Sequence, residues 1–336
     1  MNWSIRQPDE PDSEEMRTVY AEQLNAMANE DERIVVLDAD LMKAHGTLAF
    51  KKAHPERAFD LGVAEANMVG VSAGLSTVGF IPFPATFSCF AARRAFDQFF
   101  ISANYARQNV KLTGSDPGVS AAFNGGTHMS FEDVGLMRTI PGIVICEPSD
   151  PHSLRRLLPQ IAYRQGSSYL RLHRKPTQVI YHQSEEFELG RGKVIADGED
   201  LAIIAVGAIM VAEAIEAARR LLNEAVSAAV IDMHTIKPID EALVIEYAGR
   251  TGAILTAENH QVRNGLGSAV AEVITDHHPV PMIRVGVQDE FGEVGTQEYL
   301  QQRYGLTADN LVVQAHRLLE RKNAHATRKI HARSTV

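Results

Sequence analysis

Short β-branched and apolar runs alternate along this chain with longer stretches whose apolar positions recur every three or four residues. Residues 33–38, Arg-Ile-Val-Val-Leu-Asp, form the kind of run that fills a buried parallel strand. Residues 64–75 place Met68, Val71 and Leu75 on one helical face. Residues 80–87 read as a strand, and 94–106 as a helix with Phe96, Phe99, Phe100 and Ala103 turned inward. Further strands are predicted over 110–113, 142–147 and 169–172. Between the last two, Ser149-Asp150-Pro151 announces a helix, with a capping side chain followed by proline in the first turn. A polar stretch carrying Glu185, Glu186 and Glu188 interrupts the alternation, which then restarts. Strands over 201–206, 228–232, 253–257 and 282–287 are interleaved with helices over 212–222, 240–248 and 267–275. Helices over 297–303 and 307–321 close the pattern.

This order predicts an α/β chain of two doubly wound domains, 13–180 and 193–322, joined by a connector at 181–192. Residues 1–12 and 323–336 are expected to be tails, the second bearing Arg328, Lys329 and Arg333 without periodicity. No internal repeat is present. The length of 336 residues agrees with about two domains.

Charge narrows the partners. Lys plus Arg number 33 against 42 Asp plus Glu, so the chain is acidic and no nucleic acid is expected as a partner. Cys89 and Cys146 are the two cysteines; without a CxxC they make neither a disulfide framework nor a thiolate metal site. Reduced, buried thiols in a cytoplasmic protein fit them better. The polar, acidic N-terminus resembles neither a signal nor a transit peptide. Residues 66–92 carry no charge and are long enough to span a bilayer. Pro82 and Pro84 would free backbone groups in lipid, so a helix, a turn and a strand in a buried core are expected, and no membrane.

Three polar spots stand out: residues 62–68, 85–90 and 124–129. Glu65 opens the uncharged stretch, where apolar surroundings would suit a carboxylate to proton chemistry; a glutamate there also serves as a dipole partner or cap. Phe87 and Phe90 read as core or as a stacking surface. Gly125-Gly126 presents His128 on a turn. Gly265-Leu-Gly267 lacks the third glycine of a dinucleotide loop and reads as backbone geometry at a helix start.

Taken in order, these segments resemble the transketolase family. The carriers are Gly-Val-Ala-Glu-Ala-Asn-Met-Val-Gly (62–70), Pro-Phe-Pro-Ala-Thr-Phe-Ser-Cys-Phe (82–90) and Arg-Arg-Ala-Phe-Asp-Gln (93–98). They continue with Gly-Thr-His-Met-Ser-Phe-Glu-Asp-Val-Gly-Leu-Met-Arg (126–138), Glu-Pro-Ser-Asp (147–150) and Thr-Ile-Lys-Pro-Ile-Asp (235–240). The resemblance, over residues 14–322, implies a pyrimidine-binding domain followed by a transketolase C-terminal domain. It also implies thiamine diphosphate as cofactor, with Glu65 as the catalytic glutamate bonded to N1′ of the aminopyrimidine. Phe87 and Phe90 match the rings packed around that pyrimidine. His128 matches a histidine at the reacting carbonyl, and Arg174 an arginine that holds the sugar phosphate.

The family holds diphosphate through Mg2+ with a Gly-Asp-Gly segment in an N-terminal domain, and that triplet does not occur in this sequence. The resemblance therefore implies a split enzyme. A separate N-terminal subunit would bind diphosphate and Mg2+, this chain would homodimerise within an α2β2 assembly, and it would be inactive alone. In the substrate pocket, Asn124 replaces the family's acidic residue, Asp116 stands where many transketolases carry histidine, and Lys43-Ala44-His45 lies near the family's phosphate-contacting serine. These changes point to a non-standard ketose or ketose phosphate. The alternatives are a 1-deoxyxylulose-phosphate-synthase-like activity, the β-subunit of a 2-oxo acid dehydrogenase, and a non-catalytic partner subunit.

Overall fold

The structure, a computed structural model, describes residues 13–334, with side chains as far as Ala324. The N-terminal tail expected over 1–12 lies outside the described residues.

The first half of the chain contains β1 (Ser13–Glu15), α1 (Met16–Glu30), β2 (Ile34–Asp38), α2 (Met42–His45), α3 (Leu48–Ala53) and β3 (Ala58–Asp60). It continues with α4 (Glu65–Thr77), β4 (Ile81–Phe87), α5 (Ser88–Arg93), α6 (Phe96–Gln98), β5 (Lys111–Ser115) and α7 (Asp133–Arg138). Then come β6 (Val144–Cys146), α8 (Pro151–Tyr163), β7 (Ser168–Leu172) and β8 (Pro176–Gln178). The second half holds β9 (Lys193–Ala196), β10 (Leu201–Ala205), α9 (Gly207–Asn223), β11 (Ala228–Asp232), β12 (Thr235–Lys237) and α10 (Glu241–Thr251). It ends with β13 (Ile254–Gln261), α11 (Leu266–His277), β14 (Met282–Val287), α12 (Gln297–Tyr304) and α13 (Ala308–Ser334).

Two large sheets organise these elements, and β1 and β8 form a separate antiparallel pair. One large sheet has the order β12-β6-β7-β5-β4-β2-β3 and the other β14-β13-β10-β11-β9. Pairing is parallel except at one edge of each, where β12 runs antiparallel to β6 and β9 antiparallel to β11. The central strands are buried along their whole length, as continuous apolar runs such as Ile34–Asp38 and Leu201–Ala205 require. This is the doubly wound α/β class expected. The uncharged stretch resolves into α4, a turn and β4, and no helix among the described residues is long and apolar enough to cross a membrane. Both cysteines are free and buried.

Four differences from the sequence pattern bear on the architecture. The helix expected over 94–106 breaks into α6 and a π-helical stretch, Phe99–Tyr105, where the Asn104 amide takes the Phe99 carbonyl at 2.7 Å. Phe99 and Ala103 are nonetheless fully buried. The connector forms no helix or strand, yet Tyr181 and Phe187 pack edge to face in the core, with ring centroids 4.8 Å apart. The loose tail expected from residue 323 is instead a continuation of α13 to Ser334; its alanines, arginines and lysine are strong helix formers. Finally, β12 comes from the second half of the chain but completes the first sheet.

α8 begins as its sequence predicts. The Asp150 side chain accepts from Ser153 N at 2.7 Å, and the Ser153 hydroxyl returns a contact to the Asp150 backbone, closing a capping box.

Between the sheets lies a buried polar network. Arg171 on β7 donates to Asp133 Oδ2 at 2.8 Å, to Glu147 Oε2 at 2.9 Å and to the carbonyl of Asn259 on β13 at 2.8 Å. Gly207, at φ +77°, leaves room for Glu147; a Cβ there would lie 2.2 Å from Glu147 Oε1. Nearby, Asp232 Oδ2 accepts from Ser149 and from Tyr181 OH, while Oδ1 has no partner among the described residues. Burial pushes the Asp232 carboxyl up to about 7, against the pull of the two hydroxyls. Its native pKa lies above the unfolded value of about 4, so the native state holds the extra proton across that interval. The stability this contributes is complete below about pH 4 and is lost as pH rises through about 7. Urea midpoints of the wild type should therefore fall between pH 5 and 8, and Asp232→Asn should flatten that decline; equal slopes for the two proteins would show that Asp232 is not its source.

Candidate active site

Parallel strands carry their function at the carboxyl edge, because the connecting loops gather there. In the first sheet β2 ends at Asp38, β4 at Phe87 and β5 at Ser115, and Arg174 lies two residues beyond β7. These strands are neighbours, so the four side chains converge.

At the centre is a cluster of rings. Phe87 and Phe90 are tilted at 6.1 Å, and His128 stands edge-on to both, at 6.1 and 5.2 Å. Arg93 fixes the loop that carries His128: it donates to the carbonyls of Thr127 and Met129 at 2.9 and 2.8 Å and pairs with Glu132. On the other side of that loop, a Cβ on Gly126 would lie 2.0 Å from the Gly292 carbonyl, so only glycine permits this approach of the second domain.

Glu65 is the first residue of α4 and is 4% exposed. Its Oε1 accepts from Arg94 at 3.0 Å, and the same guanidinium lies 4.1 Å above the Phe90 ring. The carboxylate therefore reaches the rings through Arg94.

Beneath Phe87, His45 is wholly buried. Its Nδ1 is 2.8 Å from Asp38 Oδ2 and its Nε2 is 2.9 Å from Ser115 Oγ, and its ring meets Phe87 edge-on at 6.3 Å. The order Asp-His-Ser is that of a nucleophile relay, but all three side chains are closed off from solvent. The arrangement acts as a strut under the aromatic floor.

Arg174 lies 5.5 Å from the centre of the Phe87 ring and donates through Nε to Asp116 Oδ2 at 2.6 Å. Asp116 adopts φ +51°, is 1% exposed, and its Oδ1 has no partner among the described residues. Burial pushes its carboxyl up, and Arg174 and Lys175 pull it back. Asn124 is exposed at the end of the 3-10 segment Gly118–Asn124, and its side chain has no partner among the described residues. Of the seven sequence-predicted site residues, six thus fall into one connected group and Asn124 stands at its margin. Asp38, Ser115, Arg93 and Arg94 were not assigned roles from sequence, and His45, expected in the substrate pocket with Lys43 and Ala44, is instead closed off beneath Phe87. Arg93 and Arg94 carry a visible signal, the doublet opening the 93–98 segment, whereas the Asp38–His45–Ser115 contact spans up to 77 residues and has none.

The donor set fits an aminopyrimidine: a buried carboxylate, two ring faces and an imidazole in one cluster. Among the described residues no group of three or more His, Cys, Asp or Glu is placed to hold a metal ion.

Comparison with known proteins agrees with this geometry. The model of the transketolase pyrimidine-binding domain matches residues 12–178, and that of the transketolase C-terminal domain matches residues 190–311. The class is thus a thiamine-dependent α/β enzyme, and the chain belongs to the transketolase family. It is similar to the 6-deoxy-6-sulfo-D-fructose transketolase subunit SqwH of Clostridium sp. (strain MSTE9), 50% identical over 95% of this chain and 99% of that protein. It is also similar to a putative transketolase C-terminal section of Methanocaldococcus jannaschii, at 39% identity over 91% and 95% of the two chains. A solved split-gene transketolase, described as an inactive β4 tetramer, superposes with a TM-score of 0.86 at 43% identity, covering 92% of this chain and 99% of that one. This chain is accordingly the counterpart of a split-transketolase subunit.

If His45 is a strut, His45→Phe keeps a ring against Phe87 but removes the partner of buried Asp38. Chemical denaturation should then give a loss of about 1–3 kcal/mol. Exposed Leu48→Ala serves as control, and equal stability of the two variants would remove the strut.

Proposed function

We propose that this chain joins a separate subunit carrying the diphosphate and Mg2+ sites and that the pair moves a two-carbon ketol unit from a ketose to an aldose. The donor is a non-standard ketose with an anionic far end, of the kind named for the clostridial relative, a 6-sulfonated fructose. The observation that carries this reading is buried Glu65 joined through Arg94 to the Phe87, Phe90 and His128 cluster at the sheet's carboxyl edge.

Bound thiamine diphosphate supplies the electron sink for cleaving the bond beside the ketose carbonyl. Glu65 would hydrogen-bond N1′ of the aminopyrimidine. Phe87 and Phe90 give that ring apolar faces and exclude water. His128 hydrogen-bonds the substrate near the reacting carbonyl, Asn124 and Asp116 contact the sugar, and Arg174 takes the terminal anion.

Exposed apolar side chains next to this site support a docked partner. Phe291 is 98% exposed and Val294 is exposed beside it, around a cavity of about 950 Å³ also lined by Arg93, Thr127 and Glu132, and Phe123, 73% exposed, precedes the loop of His128. The relative described as an inactive β4 tetramer supports a chain of this kind that associates with itself yet needs its partner to work. An α2β2 assembly in the cytoplasm follows from this reading.

The test is a donor panel with the co-purified pair. Glu65→Gln should lower turnover by about 10²–10⁴-fold while the pair still assembles, as removal of a proton-transfer group does. Full activity of that variant would leave the chain a scaffold. A preference for xylulose 5-phosphate over every other donor would overturn the donor assignment.

A further inference from the structure

Five charged side chains lie at the edge of the site, two of them directed at one backbone carbonyl. Arg174 and Arg17 both direct Nη1 at the oxygen of Ala44, at 3.4 and 3.5 Å. Each is paired with its own carboxylate: Arg174 with Asp116 at 2.6 Å and Arg17 with Glu15 at 2.7 Å. Backbone structure holds the two arginines together, since Arg17 N donates to the Arg174 carbonyl at 3.2 Å where β1 and β8 pair. Lys175 is the fifth group, with Nζ on the Ser120 carbonyl at 2.8 Å. Three cations face two carboxylates, which leaves a single positive charge in excess.

The two ion pairs differ in kind. Glu15 and Arg17 are each about one-third exposed, so solvent screens that pair. Asp116 and Arg174 are 2% and 18% exposed, and one Asp116 oxygen is left without a partner among the described residues. A carboxylate serving only to fix Arg174 would not need a left-handed backbone at φ +51° and a spare buried oxygen. Neutralising Arg174 lowers its attraction for any anion. The effect is strongest for a dianion, whose second charge meets the Asp116 carboxylate at close range.

We propose that Asp116 determines the charge of the donor's terminal group, fitting the Arg174 site to a singly charged tetrahedral oxyanion and against a dianion. This rests on the two-carbon transfer reading given above. A sulfonate carries one charge at every working pH, whereas a phosphate monoester carries one only below its second pKa, about 6. Both sources share the same chemistry, and pH separates them.

The experiment uses the co-purified pair with uncharged glycolaldehyde as acceptor, so that only the donor brings a terminal anion. Fructose 6-phosphate and 6-deoxy-6-sulfofructose are compared, each relative to uncharged xylulose, and all three donors form erythrulose. At pH 7.5 the wild type should favour the sulfonate by about tenfold or more in kcat/KM, and Asp116→Asn should erase most of that ratio through KM. As pH falls from 7.5 to 5.5, wild-type kcat/KM for the phosphate should rise toward the sulfonate's, which should not show that rise. A sulfonate-to-phosphate ratio unchanged in a folded Asp116→Asn variant would overturn the proposal. Should that variant fail to fold, a wild-type ratio independent of pH would overturn it as well. No erythrulose formed from any of the three donors by the wild-type pair would mean instead that the two-carbon reading itself is wrong, and this proposal with it.

Discussion

Arg171 places one guanidinium between two buried carboxylates and a carbonyl from the other domain, all out of reach of water. Burial opposes the charged form of Asp133, yet Arg171 holds its carboxyl below the usual range. Leaving such a pair half-made costs about 3–5 kcal/mol, since a bare charge would remain inside. The contact thus permits one relative placement of the two domains. Asn259 repeats the constraint through its side chain, which accepts from Val119 N at 3.0 Å and donates to the Pro117 carbonyl at 2.9 Å. β12 adds a third tie, a strand lent by the second half of the chain to the first sheet.

The site inherits this fixed placement. Pro117 and Val119 immediately follow Asp116, so the Asn259 clamp holds the turn that presents the Asp116 carboxylate to Arg174. The loop of His128 is held between Arg93 on one side and Gly292 on the other. Asp116 itself lies in the turn between β5 and the 3-10 segment Gly118–Asn124, and His128 lies in the turn beyond that segment. Their geometry is a property of the domain pair, and in this respect the second domain contributes to the site without placing a side chain in the ring cluster.

Much of this was legible in the sequence where the signal is local. Buried parallel strands announce themselves as β-branched runs, and the Ser149-Asp150-Pro151 cap marks the start of α8 to the residue. Glu65, Phe87, Phe90 and His128 were legible through the ordered segments that carry the family resemblance. The rest fails for physical reasons. α1 has apolar groups at Met16, Val19, Tyr20, Leu24 and Met27, but polar residues and alanines between them blur the stripe, and no side chain caps its start. β8, in the two-stranded pair with β1, and the edge strand β12 are three residues long, too short for any period to show. Arg171, Glu147 and Asn259 look like ordinary polar residues until the fold brings together positions as far apart as 88 residues. Phe96 and Phe100 were expected inside, but they are only partly buried and pack against each other, with ring centroids 6.0 Å apart.

In the function proposed, this chain holds the pyrimidine half of an active site whose other half belongs to a second polypeptide. The most direct measurement is a titration of the purified chain with the separately purified N-terminal subunit, in the presence of thiamine diphosphate and Mg2+, following two-carbon transfer from a ketose donor. The account predicts no transfer by this chain alone and an activity that rises to a plateau at a one-to-one ratio of the subunits. Turnover by this chain alone at the plateau rate would contradict it.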